Sequence, residues 1–215
     1  MSYGDVGWGI SRLWLEPLTK LFTRARMVGV ERLPAGGCVL AVNHLHWVDI
    51  CVVGATCPRN INYVAKAEAF HIPVVGWYIR SHGVIGIRRG ESDREAVRVM
   101  RKAAHDGRLV GIYVEGTRQK SGRPGVAQPG AAMVALQEDV PVVPAAVYGT
   151  QFWKPGNFAP CTVALGEPIR FEGLPKGGRG YKEATAEIER RIHALFDWLA
   201  EFHASGRPRG ELPPL

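Results

Sequence analysis

The sequence predicts an α/β fold: a mixed, largely parallel central sheet flanked by helices, preceded by an amphipathic helical segment. Three observations carry this reading. Short β-branched runs alternate with helical runs, most of the short runs are apolar throughout, and a well-signalled helix joins two of them. Continuous apolar runs are what strands covered on both faces require, and alternation with helices is how parallel strands are connected.

The first 26 residues carry Trp8, Ile10, Leu13, Trp14, Leu18, Leu21 and Phe22 beside Arg12, Lys20, Arg24 and Arg26. Pro17 is expected to divide them into two short helices. Such a segment serves equally as an interfacial anchor, with Trp and Leu at the headgroup boundary, or as a helix packed on the core. The strands follow at CVLAVN (38–43), INYVA (61–65), GVIGI (83–87), LVGIYV (109–114), VPVVPAAVY (140–148) and CTVAL (161–165). Between the third and fourth, Ser92 and Glu95 form a capping box. Ala96, Val99, Met100 and Ala103 make one stripe, and Gly107 is the stop. Near the end, Tyr181, Ala184, Ile188, Ile192, Leu195, Leu199 and Phe202 recur at three- and four-residue steps, the pattern of a docking helix. The predicted organisation is a helical interface segment at 1–27, one globular domain at 28–205, and a loose Pro-rich tail at 206–215.

Composition narrows the class. Stretches free of charged residues, such as 33–48 and 140–153, fall short of the roughly 18 apolar residues that a spanning helix needs, so no transmembrane segment is expected. The N-terminus shows no basic region, apolar run and cleavage site of a secretory signal, so the expected location is the cytoplasm. Cys38, Cys51, Cys57 and Cys161 form no C-x-x-C pair and have no zinc-finger partners; they read as reduced, mostly buried thiols, and no metal is expected. The net charge of +7 favours an anionic partner. No nucleic-acid reading motif is present, and the basic residues are interleaved with acids, which excludes nucleic acid from the expected partners.

The chain lacks the serine-elbow, phosphate-loop, dinucleotide and zinc-helix signatures. It does contain NHLHWVD (43–49), directly after a strand and before an apolar run. A five-residue step on a continuous helix would turn the two side chains about 140° apart, so His44 and Asp49 meet only with His44 in the loop and Asp49 in the first helical turn. There Asp49 would accept from one ring nitrogen and leave the other free to take a proton from a hydroxyl: a general base with its orienter. The same pattern also describes a histidine beside a purely structural helix cap. GIRRG (86–90) and EGTR (115–118) place Arg88, Arg89, Glu115 and Arg118 at strand ends, where ligands of α/β sheets bind and guanidinium forks match phosphate oxygens.

With these blocks in this order, the chain resembles the glycerolipid acyltransferases typified by 1-acylglycerol-3-phosphate acyltransferase. NHLHWVD matches the N-H-x-x-x-x-D block, GVIGIRRG the second, YVEGTRQKSG the F-P-E-G-T-R-S block and VPVVPAAV the fourth, over about residues 28–170. The resemblance implies acyl transfer from a thioester, acyl-CoA or acyl carrier protein, to a glycerolipid hydroxyl. It makes His44 and Asp49 the catalytic pair and Lys66, Arg88, Glu115, Gly116, Thr117 and Arg118 the holders of a phosphorylated acceptor. Pro141 and Pro144 are placed in the acyl region. It further implies a lysophospholipid acceptor, no bound cofactor and work at the cytoplasmic face of a membrane. The chain departs from the family pattern at Val114 (usually Pro), Gln119 (Ser), Ala69 (Leu) and Pro129, which precedes Gly130 where the family often has Lys. Another acceptor (glycerol 3-phosphate, a lysophospholipid or an amino-acid lipid), a thioesterase using the same histidine with water, and a non-catalytic basic membrane-binding protein are the alternatives.

Overall fold

A computed structural model describes residues 3–66, 71, 84–87 and 93–214. A long helix α1 (Tyr3–Thr23) opens the chain, followed by β1 (Arg26–Val28), β2 (Cys38–Val42), α2 (Asp49–Thr56), β3 (Ile61–Lys66) and β4 (Ile85–Ile87). Then come α3 (Asp93–His105), β5 (Leu109–Tyr113), α4 (Gly130–Glu138), β6 (Val142–Tyr148), β7 (Thr162–Leu165) and α5 (Gly178–Ala204). The seven strands form one sheet in the order β1-β7-β6-β2-β5-β3-β4. Every neighbouring pair is parallel except β6 with β7, so the sheet is mixed and largely parallel, as the apolar runs predict.

The central strand β2 shows why these runs are apolar throughout. Leu40 and Val42 face α2, together with Val143, Ala145 and Val147 of β6. Val39 and Ala41 face the opposite side, with Val110 and the buried stripes of α3, α4 and α5. With both faces covered, alternation has no solvent side to serve. The second layer closes on Ile188 and Ile192, then Leu195, Leu199 and Phe202, along the predicted docking helix. The capping Ser92 lies outside the described residues. The α3 stripe is turned slightly from its expectation: Val97, Met100, Ala103 and Ala104 are the buried residues.

Two expectations about the termini change. Pro17 lies inside an unbroken α1. The bond it removes is the one to the Leu13 carbonyl, and Leu13 stands on the solvent side, where the loss of that bond costs least. Both halves are held instead by Trp8, Ser11, Thr19 and Thr23, which are buried against the body. The C-terminal segment also has partners: Arg32 donates to the carbonyls of Pro213 (3.0 Å) and Pro214 (3.3 Å), and Pro213 is buried. Arginine donors, here Arg32 and also Arg26 to the carbonyls of Arg207 and Pro208, tie down a segment that has few apolar groups of its own. Among the described residues, no helix is long and apolar enough to cross a membrane.

Candidate active site

The strand-to-helix turn after β2 brings His44 and Asp49 together. His44 is in the loop and Asp49 is the first residue of α2, the arrangement the five-residue spacing demands. His44 Nδ1 lies 2.8 Å from Asp49 Oδ2. The same carboxylate oxygen accepts from the backbone N–H groups of Leu45 (2.7 Å) and His46 (2.8 Å). Asp49 is fully buried, while 14% of the His44 side chain reaches solvent. Three donors on one oxygen fix both the turn and the carboxylate. An acceptor-only partner at Nδ1 places the ring proton there and leaves Nε2 free as a base. Asp49 thus fixes both the His44 ring and the loop that carries it, rather than capping the helix it begins.

The EGTR block arrives from β5 and is fastened to the same histidine. Glu115 Oε2 accepts from the His44 N–H at 3.0 Å, Glu115 Oε1 from the Gly125 N–H at 3.3 Å, and the Gln119 N–H donates to the His44 carbonyl at 2.8 Å. Burial holds the Glu115 carboxyl above the usual carboxylate range, against the pull of these donors. Its carboxylate is therefore committed to backbone groups. A phosphate at this turn would meet the exposed Gly116, Thr117 and Arg118 instead. Gly116 is in the left-handed region (φ 66°), which glycine adopts without strain and which carries the chain round this turn. Arg118 is close enough to His46 to lower the basicity of that ring, although burial is the larger cause and Asp49 opposes both.

Of the remaining implied phosphate holders, Lys66 ends β3 with only its backbone described, and Arg88 lies outside the described residues. Pro141 and Pro144 are buried at and within β6. Pro144 lies beside Gly166 and Leu195 on the α5 side of the sheet, whereas the His44 ring stacks on Tyr113, which packs with the α2 side. Neither proline lines the apolar groove described below.

Two features beyond the implied residues complete the site. The His44 ring stacks on Tyr113 (ring centres 4.2 Å, planes 29° apart), and Tyr113 stacks in turn on Tyr63 (5.8 Å, 7°). This row depends on Gly111, because a Cβ there would meet Tyr63 Cε1 at 2.6 Å. Burial foremost, then Tyr63 and Asp49, holds the Tyr113 phenol well above its ordinary value, so it stays neutral. The residue types were visible in the sequence, but the glycine opposite a tyrosine on the next strand appears only in the register Tyr63↔Gly111.

The second feature is an apolar groove of about 360 Å³ between α1, the start of α2 and the segment after β6. Leu18, Phe22, Trp47, Val48, Cys51 and Trp153 line it, and Trp47 and Val48 lie between His44 and Asp49. Burial raises all four thiols, Cys57 to about 11 and Cys161 to about 12, which removes them as thiolate nucleophiles. Among the described residues, no group of three or more His, Cys, Asp or Glu could hold a metal ion.

Residues 24–148 match the family model described as Acyltransferase. A chloroplastic 1-acyl-sn-glycerol-3-phosphate acyltransferase of Brassica napus is 31% identical over 145 residues, 66% of this chain and 42% of that protein. A 1-acyl-sn-glycerol-3-phosphate acyltransferase of Bacillus subtilis is 28% identical over 190 residues, 84% of this chain and 92% of its own length. The solved 1-acyl-sn-glycerophosphate acyltransferase of Thermotoga maritima superposes with a TM-score of 0.69 at 24% identity, covering 92% of this chain and 81% of that one, and so shares the fold.

Proposed function

Since the chain belongs to the acyltransferase family, we propose that it moves a fatty acyl group from an acyl thioester to the sn-2 hydroxyl of 1-acylglycerol 3-phosphate, giving phosphatidic acid. The donor is acyl-CoA or acyl carrier protein. The observation that carries this reading is the 2.8 Å bond between His44 Nδ1 and the buried Asp49, beside a turn bearing Arg118.

The chemistry follows from the free ring nitrogen. His44 Nε2 takes the proton as the acceptor hydroxyl attacks the thioester carbonyl, and the imidazolium returns it to the departing thiolate. Asp49 stabilises the imidazolium and holds the tautomer. The attack is direct and forms no acyl-enzyme. Gly116, Thr117 and Arg118, with Lys66 and Arg88, hold the acceptor phosphate away from the reacting atom, where binding energy serves positioning. The apolar groove supports an acyl-chain site, since it opens from the loop that carries both catalytic groups and is walled almost wholly by apolar atoms.

The outer face of α1 supports work at a membrane surface. Leu13 and Trp14 are each 68% exposed, and Leu18, Leu21 and Phe22 stand out beside them, while the buried side is narrow and largely polar. A helix that turns its larger apolar residues away from its own core has the surface of an interfacial helix.

The test is thiol release from an acyl thioester with a lysophosphatidate acceptor. His44→Ala abolishes it, and Asp49→Asn, which can still accept from backbone N–H groups, lowers kcat by about two to four orders of magnitude. Near-normal turnover by His44→Ala overturns the reading. Release that persists without an acceptor points to a thioesterase, and a panel of glycerol 3-phosphate, lysophospholipids and amino-acid lipids fixes the acceptor. Leu13→Glu with Leu21→Glu removes vesicle binding if α1 faces the bilayer; these positions are exposed, whereas deleting the segment would unpack the buried Trp8.

A further inference from the structure

Four arginines gather where the chain leaves α1 and the C-terminal segment passes it. Arg26 Nη2 donates to the carbonyls of Arg207 (2.5 Å) and Pro208 (3.4 Å), and Arg207 Nη2 to those of Arg24 (2.9 Å) and Cys161 (3.3 Å). The Arg26 guanidinium also lies over the Phe202 ring, 4.7 Å from its centre. These contacts hold Arg26 and Arg207 half-buried, with both Nε atoms buried and without a hydrogen-bond partner among the described residues. Arg24 and Arg209 stand exposed beside them.

Among the described residues, no carboxylate forms an ion pair with any of the four, although Glu201 and Glu211 are near in sequence. Besides burial, which acts most on both, Arg209 lowers Arg26, and Arg26 and Arg24 lower Arg207, opposed there only by the Cys161 thiol. Burial and these neighbours bring Arg207 down to about 10, which leaves it protonated at neutral pH. Gathered like charges without a counter-charge disfavour the fold unless an anion joins them. The outward nitrogens of a guanidinium are suited to phosphate oxygens.

The position of the cluster selects the source of that phosphate. Arg24 follows two residues after Phe22, at the end of the exposed apolar face of α1, so cations begin where apolar surface ends. That is the order met on passing from the acyl region of a bilayer into its headgroups. We propose that Arg24, Arg26, Arg207 and Arg209 form a headgroup site for anionic membrane phospholipids, through which the C-terminal segment extends the bilayer contact begun by α1. This rests on the reading of α1 as a bilayer-facing helix.

The test is sedimentation of the full chain with vesicles of phosphatidylcholine alone and of phosphatidylcholine with phosphatidylglycerol. Arg24→Gln with Arg209→Gln is the informative variant, because among the described residues neither side chain makes a hydrogen bond. The wild type binds the anionic vesicles more tightly; the variant loses about 10-fold or more of that gain while its binding to phosphatidylcholine is unchanged. Arg179→Gln with Lys182→Gln removes the same charge at the far end of α5, about 35 Å away, and changes binding less than about 2-fold. An unchanged anionic preference in the first variant overturns the headgroup site and leaves the α1 reading intact. No binding to either vesicle overturns both. If inorganic phosphate stabilises the wild type but not the variant while vesicle binding is equal, the site takes a free anion and the proposal fails.

Discussion

The His44 imidazole lies against the Tyr113 ring, centres 4.2 Å apart, while its Nδ1 bonds Asp49 at 2.8 Å. The two contacts restrain different motions. A hydrogen bond in the ring plane sets where Nδ1 points, but leaves the ring free to roll about that direction. A stacked face removes the roll and so fixes where Nε2 points. On the proposed reading of His44 as the base, Tyr113 is its positioning residue.

Tyr113→Leu should lower kcat by about 10-fold or more with little change in KM, because misorientation of a base is felt at the transition state rather than in binding. Tyr113→Phe keeps the face and should stay within about 3-fold of wild type. Equal losses in the two variants would assign the effect to the hydroxyl and sink the stacking argument.

Glu115 ties the two blocks together through the N–H groups of His44 and Gly125. A glutamine at this position has one acceptor oxygen and can serve only one of them well. Glu115→Gln should destabilise the fold by about 1–3 kcal/mol and reduce turnover with it, measured as a denaturation midpoint beside kcat. A variant that loses only acceptor affinity, with stability unchanged, would show that the carboxylate acts on the substrate.

Cys51 lines the apolar groove and is among the residues placed between the catalytic loop and α1. Cys51→Trp adds a large ring to that groove. The ratio of kcat/KM for long over short acyl thioesters should fall by about 10-fold, on the scale of a few methylene contacts. An unaltered ratio would place the chain elsewhere.

His203 bonds Thr162 Oγ1 through Nε2 at 2.8 Å and sits edge-on to Tyr148. Burial first, then Arg207 and Arg26, lowers it from 6.5 to about 4. Between those values the unfolded chain binds a proton that the folded chain refuses, so stability falls as pH drops from about 6.5 toward 4. With solvent screening, the loss is on the order of 1–2 kcal/mol. His203→Gln should flatten this part of a urea-midpoint profile; a profile that stays steep would assign the slope to other groups.

The sequence alone determined the sheet and the meeting of His44 with Asp49, because both are written in local chemistry. Runs such as Cys38–Val42 are apolar at every position since both faces are covered, and the spacing of His44 and Asp49 allows contact only across a strand-to-helix turn. What only the tertiary structure decided depends on residues far apart in the chain. Tyr113 meets His44 because β5 pairs with β2, Val42 beside Tyr113, and Tyr63 fits because Gly111 lies opposite it. The backbone partners of Glu115 likewise appear only in the fold, where the His44 N–H comes within 3.0 Å of it. The composition of α1 was equally compatible with burial and exposure. Its direction was set by which residues the body could accept, and the body took Ser11, Thr19 and Thr23 and left Leu13 and Trp14 outside.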